Sequence, residues 1–176
     1  MSRPVPSELP LLRRGRHQDP REGSCLMEYV SVLAGERFSD RPRCTPPVLA
    51  WLAQRVNDGV SDTARTELVL RAPLLARACT ADPTAPVLEA VARSGLALVP
   101  EDTWLLRARY RAEHTAVSWR RPLVRLCLLE AFLAHDRHLR TLSGPERDRR
   151  LISLLDTVLD ALHPVVPVSA PRPVAS

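Results

Sequence analysis

Residues 146–162 read ERDRRLISLLDTVLDAL. Leu151, Leu155, Val158 and Leu162 recur at the three- and four-residue spacing of one helical face, and Leu154 and Leu159 widen that stripe. Each of these side chains, once fully buried, stabilises a fold by about 1.5–3 kcal/mol before conformational entropy is subtracted. Ser143-Gly144-Pro145 turns the chain just ahead of the stripe. No segment alternates with the period of two that a half-buried strand requires, so the expected class is all-α.

Helix punctuation continues upstream of that stretch. Ser118 with Pro122 starts the longest expected helix, through about Thr141, and Asp102 or Thr103 starts WLLRARYRAEH. Asp82-Pro83 or Thr84 opens VLEAVARSG, with Gly95 as its stop, and LALVP is an extended connector. Pro73 restarts the chain for a short turn over residues 74–78, and Ser61 or Asp62 opens a helix through Leu70. Before it, Thr45 as cap and Pro46 at the first helical position start VLAWLAQRVND. Ser24 is expected to cap the first helix, which runs to about Ala34 with Gly35 in the left-handed position past its end. The sum is an irregular bundle of about seven helices.

The ends differ from the middle. Residues 1–22 hold Pro4, Pro6, Pro10 and Pro20 with five arginines and read as a mobile basic arm. Residues 164–176 carry Pro164, Pro167, Pro171 and Pro173 and suit an extended, disordered tail. Residues 23–163 are expected to form a single helical domain, because 176 residues fit one core.

Composition qualifies the charge. The chain has no lysine, so its 25 basic residues are all arginine, and Ile152 and Asn57 are the only residues of their types. Such a bias against AT-rich codons points to a very GC-rich genome, such as that of an actinobacterium or its phages. A pI near 9.7 invites a nucleic-acid partner, but the net charge is only +5 and codon bias inflates arginine. No apolar run reaches the roughly 18 residues of a membrane span, and MSRPVPSELPLLRRGRHQDPREG lacks a signal-peptide core. A cytoplasmic location without membrane attachment is the expectation.

The stretch GSCLMEYVSVLAGERFSDRPRCTPP, residues 23–47, holds the candidate chemistry. Glu28 lies on a helix whose circumference Leu26, Tyr29, Val30, Leu33 and Ala34 largely claim. A carboxylate there is paired or costs several kcal/mol, and an arginine such as Arg43 or Arg55 is its expected partner. Cys25 and Cys44 both sit at helix starts, where the dipole lowers a thiol pKa. Together with Asp40 they form a conceivable pocket of candidate catalytic residues: Glu28, Cys25, Cys44 and Asp40. The four cysteines share no CxxC spacing, and His17, the one histidine near the pair, lies in the arm. Buried thiols, no metal and no cofactor are therefore expected.

Two arginine-bearing surfaces are candidates for binding. Arg37, Arg41 and Arg43 form a basic face on the loop between the first two helices, where Ser39 and Asp40 can hold backbone groups two residues on and Phe38 folds back. That face could take a phosphate or carboxylate, helped by the N-terminus of the following helix. The segment 104–125 carries Arg107, Arg109, Arg111, Arg120, Arg121 and Arg125 with Trp104, Tyr110, His114 and Trp119. Basic groups interleaved with aromatics suit phosphate contact and base stacking. Their bland counterpart is a solvated face with anchoring tryptophans. His135 and His138 follow Glu130 at the wrong interval for a di-iron helix pair and read as helix-end groups. No phosphate-binding loop, nucleophile elbow or zinc-protease motif occurs.

Gly23, Cys25, Met27-Glu28, Ala34-Gly35-Glu36, Ser39-Asp40, Pro42, Cys44 and Asn57-Asp58 together spell G-x-C-x-M-E, A-G-E, S-D-x-P-x-C and N-D. This pattern resembles a group of uncharacterised small actinobacterial and phage proteins. Members often carry histidine at the position of Arg41 and just after the second cysteine, and this chain has neither. The resemblance implies positions and no activity. The leading expectation is a non-enzymatic helical protein that binds a macromolecular partner, protein or nucleic acid, in a regulatory role. The alternative is a small enzyme or ligand-binding protein built on the cysteine–glutamate pocket.

Overall fold

The computed structural model describes residues 9–78 and 82–163. The C-terminal stretch 164–176, residues 1–8 of the arm and Cys79 lie outside the described residues. The chain is all-α, 66% helical, with seven helices of five residues or more and one four-residue turn of helix among the described residues. In order these are α1 Leu26–Leu33, α2 Pro47–Gly59, the turn α3 Asp62–Arg65, α4 Ala72–Ala76, α5 Thr84–Leu96, α6 Thr103–His114, α7 Pro122–Leu139 and α8 Gly144–Leu162. Short 3-10 turns cover Pro20–Glu22 and Thr66–Arg71.

The amphipathic stripes dictate how the helices stack. Leu151, Leu154, Leu155, Val158 and Leu159 of α8 are all buried, as their spacing requires. α5 occupies the centre, against α6, α7, α8 and α2, while α1 rests on α2 and α4. The close approach of α5 to α6 explains Gly95, which lies inside α5 and does not end it. A Cβ there would come within 2.5 Å of Leu105 Cδ1. The packing of the two helices, more than any turn, selects glycine.

Local caps differ from expectation in instructive ways. Cys25, and not Ser24, is the N-cap of α1: its sulfur accepts from the Glu28 amide at 3.4 Å, and the Glu28 carboxylate returns to the Cys25 amide. The Ser24 hydroxyl is buried with no hydrogen-bond partner among the described residues. Pro46 flanks α2, which therefore starts one residue late, and the Thr45 hydroxyl donates instead to the Leu75 carbonyl. Gly35 does take the left-handed position, with φ +68°. The Gly35 amide bonds Val32 O and the Glu36 amide bonds Ser31 O, so α1 ends in a Schellman turn.

Residues 9–22 are not a free arm. The Arg13 amide donates to Ser24 O at 2.7 Å, and the Ser24 amide donates to Leu11 O at 2.9 Å. The boundary expected at residue 22 falls earlier in the chain, because the segment from Leu11 onward is hydrogen-bonded to the α1–α2 hairpin.

Candidate functional site

Glu28 is fully buried, and its partner is neither Arg43 nor Arg55. One oxygen, Oε1, accepts from the His17 amide at 2.8 Å. The other, Oε2, accepts from the Cys25 amide at 2.7 Å and lies 3.0 Å from His17 Nδ1. Three donors therefore satisfy a carboxylate that would otherwise be a costly buried charge. Sequence reasoning missed His17 because it lies in the proline-rich segment. One local signal was present: Asp19 followed by Pro20 is a cap and first-position proline, and Asp19 does accept from the Arg21 amide.

Asn57 and Asp58 complete the attachment. Asn57 is buried within α2, where its Oδ1 accepts from the Leu26 amide at 3.2 Å and its Nδ2 donates to Arg13 O at 3.0 Å. The Asp58 carboxylate accepts from the Gly15 amide at 2.8 Å. Gly23 takes φ +115°, and a Cβ on it would meet the Arg13 side chain at 2.5 Å. The buried guanidinium of Arg65 donates to Asn57 O and Val60 O, both at 2.9 Å, and to Asp62, closing the carbonyl end of α2.

The residues of the conceivable catalytic pocket serve separate structural tasks. Cys25 is 3% exposed, and burial pushes its thiol up to about 12, so the helix-start position does not make it a thiolate. Burial likewise raises the Cys44 thiol, against the lowering effect of its contact with the Thr45 hydroxyl. The Cys44 and Arg43 amides both donate to the Glu36 carboxylate, at 2.9 and 2.7 Å. Asp40 faces Arg16 of the arm at 3.8 Å, while its carbonyl accepts from Gln54. Ser39 does make the turn expected of it, its hydroxyl accepting from the Arg41 amide at 3.1 Å. Among the described residues no group of three or more His, Cys, Asp or Glu side chains could hold a metal ion.

The two arginine surfaces, far apart in sequence, partly converge. Arg41, Pro42 and Arg43 of the loop, Thr45, Pro47, Trp51 and Gln54 at and within α2, and Trp119 and Arg125 near the start of α7 enclose a groove of about 490 Å³. The indole of Trp51 sits 6.0 Å from that of Trp119 and edge-on to Phe132 at 5.4 Å. The Arg55 guanidinium lies 5.6 Å over Trp51, and that of Arg125 lies 6.0 Å over Trp119. Guanidinium, indole, indole and guanidinium thus follow one another, with cation–π attraction orienting the two cations. Arg37 and Ser39 line an adjoining hollow of about 480 Å³ together with Glu36, Arg41 and Arg43.

The rest of the basic segment faces elsewhere. Arg107 and Arg111 border a hollow of about 610 Å³ on α6 with Leu106, Arg109, Tyr110, Glu113 and Thr115, none of which lines the groove. Arg109 pairs with Glu113, Arg107 covers Trp104, and Tyr110 stacks on His114 at 4.4 Å. Arg120 and Arg121 are exposed at the start of α7, where Arg121 donates to the Ala116 carbonyl at 3.5 Å. Asp82 holds this corner together by accepting from Thr84, Ser118 and the Trp119 amide. Burial opposes its ionisation, yet those donors keep its carboxyl below the usual range.

His135 is not a helix-end group. It is buried in α7, with Nε2 2.9 Å from Ser94 Oγ and Nδ1 without a partner among the described residues. Burial pushes its imidazole down to about 4. Without an acid on Nδ1 the serine–histidine contact lacks the orienting group of a hydrolytic triad. His138 does sit in the last turn of α7 and bonds Asp102, the N-cap of α6, at 2.8 Å.

Fold and surface define an all-helical protein whose arm is fastened by a buried acid and whose concave face is built from arginine and tryptophan. No protein-family model matches the chain, and comparisons with curated proteins and with solved structures give no match. Among the described residues no helix is long and apolar enough to cross a membrane.

Proposed function

We propose that this chain is a non-enzymatic binding protein whose groove between the 37–43 loop and the start of α7 docks an acidic macromolecule. One observation carries the reading: three arginines and two tryptophans from separate parts of the chain line a single concavity that contains no carboxylate. Arg41, Arg55 and Arg125 form no ion pair with a carboxylate among the described residues, whereas Arg65, Arg71, Arg93, Arg109 and Arg140 do. Codon bias accounts for how many arginines there are; it does not account for cations held on indoles around an acid-free groove.

Charge reversal tests it. Arg41→Glu and Arg125→Glu, both at exposed positions, should weaken binding of single-stranded DNA, duplex DNA or polyglutamate at low salt, while Arg137→Glu on the outer face of α7 should not. The reading fails if none of the three polyanions binds, or if the groove variants bind as the parent does. The 23–58 pattern is proposed, on the same footing, to mark proteins that share this arm-on-hairpin arrangement. A regulatory role is part of the same proposal.

A further inference from the structure

We infer that the ligand of this groove is single-stranded nucleic acid, with its phosphates on Arg41, Arg43 and Arg125 and a base against the Trp51–Trp119 pair. This inference rests on the binding reading above and names its partner. An acidic polypeptide would need cations alone, and the exposed arginines of α6 would serve it equally well. The groove offers something further, two partly exposed indoles 6.0 Å apart at its floor. Flat apolar faces beside fixed cations match a strand whose bases are unpaired, since base–aromatic stacking needs a free base face. In a duplex those faces are stacked inside, and only phosphates and base edges remain to be read.

Shape agrees. The groove of about 490 Å³ and the adjoining hollow of about 480 Å³ share Arg41 and Arg43. The hollow adds Arg37 to the groove's cations, along with Ser39, and the one acid that lines the hollow, Glu36, accepts from the Arg43 and Cys44 amides. A single strand can bend into the groove with successive phosphates on successive arginines; a rigid duplex cannot follow a concavity of that size. The amino end of α2 opens into the groove at Thr45 and Pro47, adding the positive end of its dipole. Pro46 and Pro47 offer no amide donors there, and the fully buried Val48 and Leu49 do not line the groove, so side chains and not backbone amides would carry the phosphate hydrogen bonds. The Arg125 guanidinium, already packed over Trp119, loses less freedom on binding than a free one, and the planar forks of the arginines suit phosphate oxygens. Gln54 donates from Nε2 to the Asp40 carbonyl and keeps its second N–H and its side-chain oxygen for a base edge or sugar.

The test uses the full chain with an oligothymidylate of about ten nucleotides, the same length of duplex, and polyglutamate, followed by tryptophan fluorescence. The strand should quench fluorescence and bind at least about tenfold more tightly than duplex or polyglutamate. Its affinity should fall with salt with a log–log slope of about −2 to −3, as three or four phosphate contacts require. Trp119→Ala should cost about 10- to 100-fold and Trp119→Phe much less, which separates stacking from loss of fold. Equal affinity for duplex, or a Trp119→Ala variant that binds the strand normally, overturns the inference. If polyglutamate binds as well as the strand and depends on Arg41 and Arg125, the nucleic-acid inference fails while the binding reading stands. If no probe binds, both fail.

Discussion

The carboxylate of Glu28 and the backbone and ring of His17 meet in the core at 2.8 and 3.0 Å, joining a proline-rich arm to the first helix across 11 residues of sequence. The pairing gives the acid a structural task. It explains why a carboxylate can stand buried on a helix whose other buried residues, Ser31 apart, are apolar or aromatic.

Removing that acid should therefore hurt more than removing its partner. Glu28→Gln presents an amide N–H₂ to donors that need an acceptor, and should lower stability by about 2–4 kcal/mol. His17→Ala leaves Oε1 and Oε2 with backbone donors and should cost about 1–2 kcal/mol. Urea unfolding would rank the two, and amide exchange over residues 11–24 should speed up in both. A Glu28→Gln protein as stable as the parent would show that the latch contributes nothing.

Asn57 should be a comparably sensitive position, although it is an uncharged residue in a helix. Asn57→Ala strands the Leu26 amide and the Arg13 carbonyl, and each loss is worth about 1–3 kcal/mol where the group stays buried. Asn57→Asp keeps the acceptor but turns a buried carboxylate oxygen toward the Arg13 carbonyl and the Asp58 carboxylate, to which Nδ2 donates at 3.0 and 3.1 Å, so in thermal melting at neutral pH it should destabilise at least as much as Ala.

Stability should fall with acid because of His135. Its folded value of about 4 lies below the unfolded value of 6.5, so the unfolded chain binds the extra proton throughout that window. Stability is then full above about pH 6.5 and declines by about 3 kcal/mol as the pH drops to 4. Asp136 favours the charged ring, His138 and Arg150 oppose it, and Ser94 and Phe132 pack against it. His135→Leu should flatten the profile over this range. Asp82 and Asp102, whose carboxyls lie below 3.8, lose their contribution only at lower pH. Unfolding midpoints measured from pH 7 down to 4 would decide it.

Thiol labelling should sort the cysteines by burial. Cys25, held up to about 12 in the core, should react only when the chain unfolds, while the partly exposed Cys44 and Cys127 react sooner. Peptide mapping after brief alkylation reads this directly. Rapid labelling of Cys25 in the native protein would contradict the buried N-cap.

Gly95→Ala should reveal how tightly α5 and α6 meet. The new methyl group collides with the fully buried Leu105, a cost of about 1–3 kcal/mol, offset by up to about 1 kcal/mol of helix preference. Leu105→Ala in the same chain removes the collision, so the double-mutant cycle should show a clear coupling.

The sequence by itself determined the helices, because their causes lie within a few residues: the leucine stripe of α8, Asp102 and Ser61 as caps, Gly35 in its left-handed turn. Glu28 was also legible as an anomaly, since a carboxylate among apolar neighbours on one helix needs no tertiary information to stand out. Its partner was not legible. His17, Arg13 and Gly15 reach the hairpin through contacts that no periodicity encodes, and the proline content around them argued for a free arm. Gly95 looked like a helix stop until the approach of Leu105 gave another reason for it. Only the tertiary structure brought Arg41 and Arg43 beside Trp51, Trp119 and Arg125 and left Arg107 and Arg111 on a different face. Local chemistry sets where helices begin and end, but the groove forms where helices from distant parts of the chain pack, and their burial geometry decides which arginines share it.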